Sequence, residues 1–459
     1  MLPCFVPSDA PNAKPVLSVT AAGFEAWRDA QRPRWRNWLA ATGFKAKAGT
    51  VALLPEAEGA VEAALLVTAD PAEPWDAAAL YSVLPDGVWR LDEGASLAPE
   101  TAALGWALAA YRFERYREPK PRQHVLALDD TAETARARRL AGAIYLARDL
   151  INTPAGDLGP AELADAVASA ARRHGGRFSA VVGDDLLTQN FPAIHAVGRA
   201  STRAPRLAEI AWGPEDAPKL TLVGKGVCFD TGGLDLKNAP NMLLMKKDMG
   251  GAAVMLALAQ AVMASNWHVR LRLLIPAVEN SVSGNAYRPG DVVRTRRGLS
   301  VEVGNTDAEG RVILADALAE ADRERPDLLL DAATLTGAAR VALGPDLPAL
   351  FTPSDRLAGD LETSAREVAD PLWRMPLHDG YRSMIESDIA DINNAGKTGL
   401  AGAITAALFL KSFVEQTSEW AHLDLFAWND RARAGRPRGG EATALRALYR
   451  LLERRFAPA

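Results

Sequence analysis

The chain has 459 residues, 48% of them hydrophobic and 24% charged, and carries a net charge of −5. Those values describe a soluble protein long enough for two or three domains with large cores, and the acidic balance argues against a general nucleic-acid binder. Only Cys4 and Cys228 are present, far apart, so no disulfide framework is expected and a reducing compartment is implied.

Met1 to Leu17 mixes prolines with charges and lacks a basic segment followed by an apolar core, so no secretory signal is expected there. No uninterrupted apolar run is long enough to predict a membrane-spanning helix. Trp27, Trp35 and Trp38 lie among Arg28, Arg32, Arg34 and Arg36 in a helical stretch. Glu25 and Asp29 offset the charge, so core tryptophans with snorkelling arginines explain this stretch better than a nucleic-acid or membrane face.

From Val51 to Leu128, short β-like runs (Val51 to Leu54, Ala63 to Val67) alternate with helical ones such as Thr101 to Tyr111, which predicts a separate α/β domain over residues 1–130. Its end, Arg112 to His124, carries Arg115, Arg117, Lys120 and Arg122 around Phe113, Tyr116, Pro119 and Pro121, and reads as a solvated domain edge. Thr131 to Leu150 is periodic enough for one long helix, stopped by Pro154 and followed by Gly156 and Gly159. This gives a linker helix over 131–153 and a catalytic domain over 154–459.

Within the second domain, helices are expected at 161–173, 252–264 and 311–323, and strands near 178–183, 206–212, 220–223, 269–275 and 327–332. This alternation predicts an α/β fold: a smaller N-terminal α/β domain and a larger C-terminal catalytic domain whose mostly parallel sheet is flanked by helices. His174 and His268 read as surface or core residues and His422 as structural. Glu441 to Phe456 reads as an amphipathic helix with Leu445, Leu448, Leu451 and Leu452 on one face.

The chemistry-bearing residues fall in three stretches. Lys225, Gly226, Phe229, Asp230, Gly232, Gly233 and Lys237 follow the Leu220 strand; Met245 to Gly251 contains Asp248; and Asn305-Thr306-Asp307-Ala308-Glu309-Gly310-Arg311 enters a helix. The glycines do not match a Walker phosphate loop, because no Gly-Lys-Ser/Thr follows at the required spacing. Asp230, Asp248, Asp307 and Glu309 put four carboxylates on three loops near strand or helix ends, where open α/β sheets carry their sites. So many acids repel one another unless cations neutralise them, and a pair of divalent ions ~3.5–4 Å apart is the usual remedy. No histidine lies in these stretches, so oxygen-preferring, hard or borderline ions are expected. Taken singly, each residue has a plainer reading. Thr306 to Glu309 matches a helix capping box, Asp248 could cap the helix near Gly250, and Lys225 and Lys237 could be solvated charges.

Together the stretches resemble the leucyl aminopeptidase family of cytosolic two-metal enzymes. The resemblance rests on Asn305 to Arg311, on the Lys-Gly-x-x-Phe-Asp-x-Gly-Gly pattern at 225–233, and on Asp331 to Gly337, Ala401 to Ala407 and Trp420 to Asp424; Arg148 to Pro154 matches the junction between domains. It implies that Lys225, Asp230, Asp248, Asp307 and Glu309 ligate two divalent ions, with Asp230 and Glu309 bridging. Lys225 ligates through a neutral amine, Asp307 belongs to the more exchangeable ion, and Asp248 with Lys225 to the tighter one. Zinc or manganese is implied, with magnesium and cobalt as further candidates. Lys237 would polarise the scissile carbonyl, and Arg311 would hold a bicarbonate acting as general base. Met245, Thr334, Leu335 and Gly337 would bind substrate.

The implied activity is hydrolysis of the amino-terminal residue of peptides, by a cytoplasmic homohexamer with no membrane or nucleic-acid partner. The alternative is a DNA-binding or architectural protein built on the same scaffold. Cys228 and Thr231 stand where the family often has Thr and Ser, and the proline after Lys237 is displaced. Leu425-Phe426-Ala427-Trp428 is bulkier than usual, so the expected departure is in side-chain preference rather than in hydrolysis.

Overall fold

The computed structural model describes residues 2–118 and 124–458. Lys120, Arg122 and their flanking prolines, part of the basic stretch noted above, lie outside the described residues. The chain forms two compact units: Met1–Tyr145 with Asp430–Arg438, and Leu146–Asn429 with Gly439–Ala459. The division falls inside the helix Ala132–Asn152, and a short segment near the carboxyl end returns to the first unit.

The first unit holds a six-stranded sheet in the order Phe5–Pro7, His124–Leu128, Gly87–Leu91, Lys14–Thr20, Val61–Thr68, Val51–Pro55. All neighbours run parallel except the last pair, which is antiparallel. Three of its helices begin with a proline, Pro33, Pro74 and Pro99, whose fixed φ and missing N–H suit the first helical turn. Trp35 is buried with Phe24, Leu39, Leu54 and Leu65, and Arg32 lies over its ring. Trp38 is half exposed, with its indole N–H donating to Leu53 O at 2.9 Å. The tryptophan–arginine stretch is thus a core edge with snorkelling arginines, as expected.

The second unit is built on a nine-stranded sheet. Its path is Trp373–Arg374, Ala349–Phe351, Trp420–Asp424, Leu328–Ala333, Lys219–Gly224, Arg270–Asn280, Arg206–Trp212, Arg177–Val182, with Gly226–Asp230 pairing the far half of Arg270–Asn280. The four central strands run parallel and are flanked by antiparallel pairings on both sides, while the edge pair Ala349–Phe351 and Trp373–Arg374 is again parallel. Val223, Leu274 and Leu329 face the helix Glu309–Arg323 in one large apolar cluster. Alternate residues of the same strands face the helix Gly250–Ser265. That helix is apolar on all sides and almost wholly buried, so its hydrophobicity serves the core, at about 1.5–3 kcal/mol per large side chain. Gly251 lets it approach the sheet: a Cβ there would sit 2.1 Å from Ala332 O.

One expected loop is a strand. Asp230 is the last residue of Gly226–Asp230, not part of a loop. Lys219–Gly224 stops pairing with Arg270–Asn280 at Leu274, whereas the longer strand runs on to Asn280 and offers a free edge that Gly226–Asp230 takes up. Lys225 sits at the break and is held from both sides. Its backbone N–H donates to Ala332 O at 3.0 Å, and its carbonyl accepts from Ala252 N–H at 2.9 Å.

Candidate metal centre and its pocket

The strand break, the turn before the helix Gly250–Ser265 and the start of the helix Glu309–Arg323 bring the acids together at the carboxyl ends of the central strands. Lys225 Nζ lies 2.7 Å from Asp248 Oδ2, 2.9 Å from Glu309 Oε1 and 2.9 Å from Thr334 O. Carboxylate oxygens of Asp230, Asp307 and Glu309 all lie within 4.8 Å of one another. Lys237 Nζ lies 2.9 Å from Asp230 Oδ2 and also contacts Asp307 Oδ1. All five expected ligand residues and Lys237 therefore share one locus.

The plainer readings fail on geometry. In a capping box Thr306 Oγ1 would accept from the helix backbone; instead it donates to Gly232 O at 2.6 Å and accepts from Asp235 N–H at 2.8 Å, tying two of the stretches together. Asn305 is the residue that caps, through Oδ1 accepting from Asp307 N–H at 2.8 Å. Asp248 does not cap the following helix; its Oδ1 accepts from Thr334 Oγ1 at 2.8 Å. Lys225 is buried rather than solvated.

Burial, together with the neighbouring Asp230, Asp248 and Asp307, pushes the Glu309 carboxyl up to about 8 against the pull of Lys225. Burial and Asp230 push Asp307 up to about 6. Asp230 moves the other way: burial raises it, but Lys237, Lys225 and the Gly232 N–H outweigh that and hold it low. Burial pulls the Lys225 ammonium down, yet Asp248, Glu309 and Asp230 hold it above its ordinary range. Beside these carboxylates alone the amine keeps its proton, so the neutral form expected of a ligand requires a further cation. Burial lowers Arg311 to about 10.

Several positioning residues were not identified in the sequence. Asn280 Nδ2 donates to Asp230 Oδ1 at 2.8 Å and to Thr306 O at 3.0 Å, and Tyr287 Oη donates to the same carbonyl at 2.7 Å. Asn394 Oδ1 accepts from Gly304 and Asn305 N–H, its Nδ2 donates to Asn305 O, and its carbonyl accepts from Arg311 Nη1 at 2.7 Å. Asp424 accepts from Leu335 N–H, Thr336 N–H and Thr336 Oγ1, fixing the turn that carries Leu335 and Gly337. A polar residue closing an apolar strand was the available signal for Asn280 and Asp424; Asn394 had none.

The profile described as "Cytosol aminopeptidase family, catalytic domain" matches residues 145–449, and that of the "M17 aminopeptidase, N-terminal domain" matches residues 14–129. The chain belongs to the cytosol aminopeptidase family. It is 41% identical over 377 residues to a probable cytosol aminopeptidase of Roseiflexus castenholzii, covering 77% of each chain. It is 42% identical over 343 residues to Peptidase B of Pectobacterium carotovorum, covering 71% of this chain and 78% of the other. Among solved structures, cytosol aminopeptidase from Coxiella burnetii superposes with a TM-score of 0.94 at 49% identity over 99% of both chains. The bottromycin maturation enzyme BotP, in complex with Mn, gives 0.86 at 35% identity over 96% of this chain and 98% of that one. The leucyl aminopeptidase resemblance thus holds, and the protein is an enzyme of the cytosol aminopeptidase type.

In this member of the cytosol aminopeptidase family the acids open onto a cavity of about 500 Å³, lined among others by Met245, Lys247, Thr334, Leu335, Gly337, Arg340 and Phe426. All four residues expected to bind substrate line it. Arg311 does not; it is buried beneath, and its Nε has no hydrogen-bond partner.

Proposed function

We propose that this enzyme hydrolyses the amino-terminal peptide bond of peptides at a dinuclear metal centre, using an activated water. The observation that carries the reading is the convergence of the Asp230, Asp248, Asp307 and Glu309 carboxylates on one buried amine: Lys225 Nζ pairs with Asp248 Oδ2 and Glu309 Oε1, and buried Glu309 Oε2 is left with no hydrogen-bond or ion-pair partner among the described residues. A cluster of acids that outnumbers its cations, with a buried carboxylate oxygen left unbonded, is costly, and a metal cation is the usual partner that makes it favourable. Asp230, Asp307, Glu309, Asp248 and Lys225 would hold two divalent ions, and this donor set of oxygens with one nitrogen suits zinc or manganese. When bound, such a pair supplies Lewis acidity toward a carbonyl and a water acidic enough to attack it.

The chain's own groups supply the rest. Lys237 stays cationic, because Asp230 and Asp307 outweigh its burial, and it lines the cavity as a donor for the scissile carbonyl oxygen. Arg311, buried with Nε free, is suited to hold a small anion such as bicarbonate beside the site as proton acceptor. Every site carboxylate is engaged as a ligand or an ion-pair partner, so no protein base is left for that task. The family membership further supports a homohexameric, cytoplasmic enzyme whose chemistry resides in residues 154–459.

The test uses aminoacyl 4-nitroanilides, leucyl and glutamyl included, with Mn²⁺ and with or without chelator. Turnover that disappears with chelator, and is absent for an α-N-acetylated substrate, is expected. Metal-independent turnover would refute the metal reading. Lys237→Ala and Glu309→Ala should abolish turnover while the far-UV spectrum is retained.

A further inference from the structure

The cavity beside the acids contains two cations that form no ion pair with any of them among the described residues. Its carboxylates are already occupied. Asp248 is held by Thr334 and Lys225, Asp230 by Gly232, Asn280 and Lys237, Asp235 by Thr306, and Asp424 by Leu335 and Thr336. Lys246 is likewise engaged, donating to Asn152 O at 2.6 Å. Lys247, its neighbour, differs. It is only 5% exposed, lines the cavity, and makes no side-chain hydrogen bond or ion pair among the described residues. Arg340, on the helix Gly337–Leu343 across the same cavity, has no ion-pair partner among the described residues either.

Both cations converge on one ring. Lys247 Nζ lies 4.9 Å from the Phe426 centroid and Arg340 Cζ 5.0 Å from it. An exposed arginine alone would mean little, but a buried, unpaired ammonium is unfavourable, and a second cation near it makes it more so. A carboxylate entering between them would relieve both, and the guanidinium fork is shaped for it. The apolar Phe426 ring beside them suits the methylenes that carry such a carboxylate. The same cavity holds Met245, Thr334 and Gly337, residues expected to bind substrate.

We propose that this pocket selects peptides whose amino-terminal residue is acidic, with the aspartyl or glutamyl carboxylate seated between Lys247 and Arg340. The proposal rests on the hydrolase reading above and adds the substrate class to it.

The experiment measures kcat/KM of the manganese-loaded enzyme for glutamyl, aspartyl, glutaminyl and leucyl 4-nitroanilides, in the wild type and in Lys247→Met, Lys247→Arg and Arg340→Gln. Charge-assisted contacts of this kind change affinity by about 10- to 100-fold each. The wild type should favour glutamyl or aspartyl over the isosteric glutaminyl and over leucyl substrates by at least about tenfold. Lys247→Met and Arg340→Gln should each cut the glutamyl-to-leucyl ratio by a similar factor, mainly through KM, whereas Lys247→Arg should retain it. Calorimetric titration with L-glutamate and L-leucine gives a readout independent of turnover, with the preference for glutamate expected in the wild type and Lys247→Arg and reduced in Lys247→Met and Arg340→Gln.

Leucyl turnover that exceeds glutamyl turnover, or variants that lower both substrates in proportion, would overturn the proposal and leave the hydrolase reading standing. No turnover of any substrate would overturn both. If Lys247→Met does not fold, the substitution of the exposed Arg340, Arg340→Gln, and the glutaminyl comparison still decide.

Discussion

Lys225 Nζ lies 2.9 Å from Glu309 Oε1, and both groups are almost fully buried. The pair is close yet poorly aligned, since neither Glu309 oxygen accepts a hydrogen bond. The amine is held protonated by its carboxylate neighbours, and Glu309 is pushed up to about 8 by burial and by other acids. A cation that ligates both must displace protons from them. Manganese binding should therefore release one proton or more at pH 7, and affinity should rise as pH rises towards 8. Calorimetry in buffers of different ionisation enthalpy checks this; a heat independent of buffer, with a constant Kd between pH 6 and 8, would remove Lys225 and Glu309 from the ligand set.

Gly310 is required by the lysine rather than by a turn. A Cβ at Gly310 would sit 2.6 Å from Lys225 Cε and 2.7 Å from its Nζ. The lysine cannot yield cheaply, because its backbone is bonded to Ala332 and Ala252 and its amine to Thr334 O. Gly310→Ala should therefore shift the amine off Asp248 and Glu309 and weaken manganese binding by about 10- to 100-fold, the range typical of disturbed ligand orientation. An unchanged Kd in a folded variant would mean that the amine does not contribute to ligation.

Much of the site was legible because its chemistry-bearing residues crowd into short motifs. Two acids and an arginine within Asp307 to Arg311 are conspicuous whatever the fold, and Lys225 and Asp230 are marked by flanking glycines. The helices were equally plain, since periodic apolar runs such as Val312 to Leu318 decide themselves locally. The strand Gly226–Asp230 was not legible: glycine and aspartate disfavour strands, and only the overhang of Arg270–Asn280 creates the edge that recruits it. Asn394 was equally hidden, because a lone asparagine acquires meaning only once folding brings it to residues far away in sequence.

Asn394 braces the acid motif more than any other single residue. It accepts from Gly304 N–H at 2.8 Å and Asn305 N–H at 3.2 Å, and donates to Asn305 O at 2.8 Å, while fully buried. Asn394→Ala leaves these backbone groups unpaired at a cost of about 1–3 kcal/mol for each one that water cannot reach. The expected result is a lower melting temperature together with weaker manganese binding, since Asn305 in turn caps the turn carrying Asp307. A variant with wild-type Kd and reduced stability alone would show that the brace supports the fold without setting the ligands.

The His422–Asp331 pair makes a separate prediction, for stability against pH. Asp331 clamps the adjacent strand twice, accepting from the Trp420 indole at 2.7 Å and lying 2.5 Å from His422 Nδ1. Burial pulls the imidazole down, but Asp331 and, more weakly, Asp424 outweigh it and the opposing Arg311, so the folded pKa stands above its ordinary 6.5. A group of this sign contributes its full stability below about pH 6.5, and that contribution is lost as pH rises through the folded value, with a slope of at most ~1.4 kcal/mol per pH unit. Glu309 and Asp316, whose carboxyls are raised by burial, also make stability fall over neighbouring pH, so the wild-type profile alone cannot isolate the histidine. The difference between wild type and His422→Gln can. The gap in melting temperature should be widest near pH 6 and shrink towards pH 9; a gap that stayed constant or widened would mean that His422 is neutral in the folded protein and that Asp331 holds it through a plain hydrogen bond.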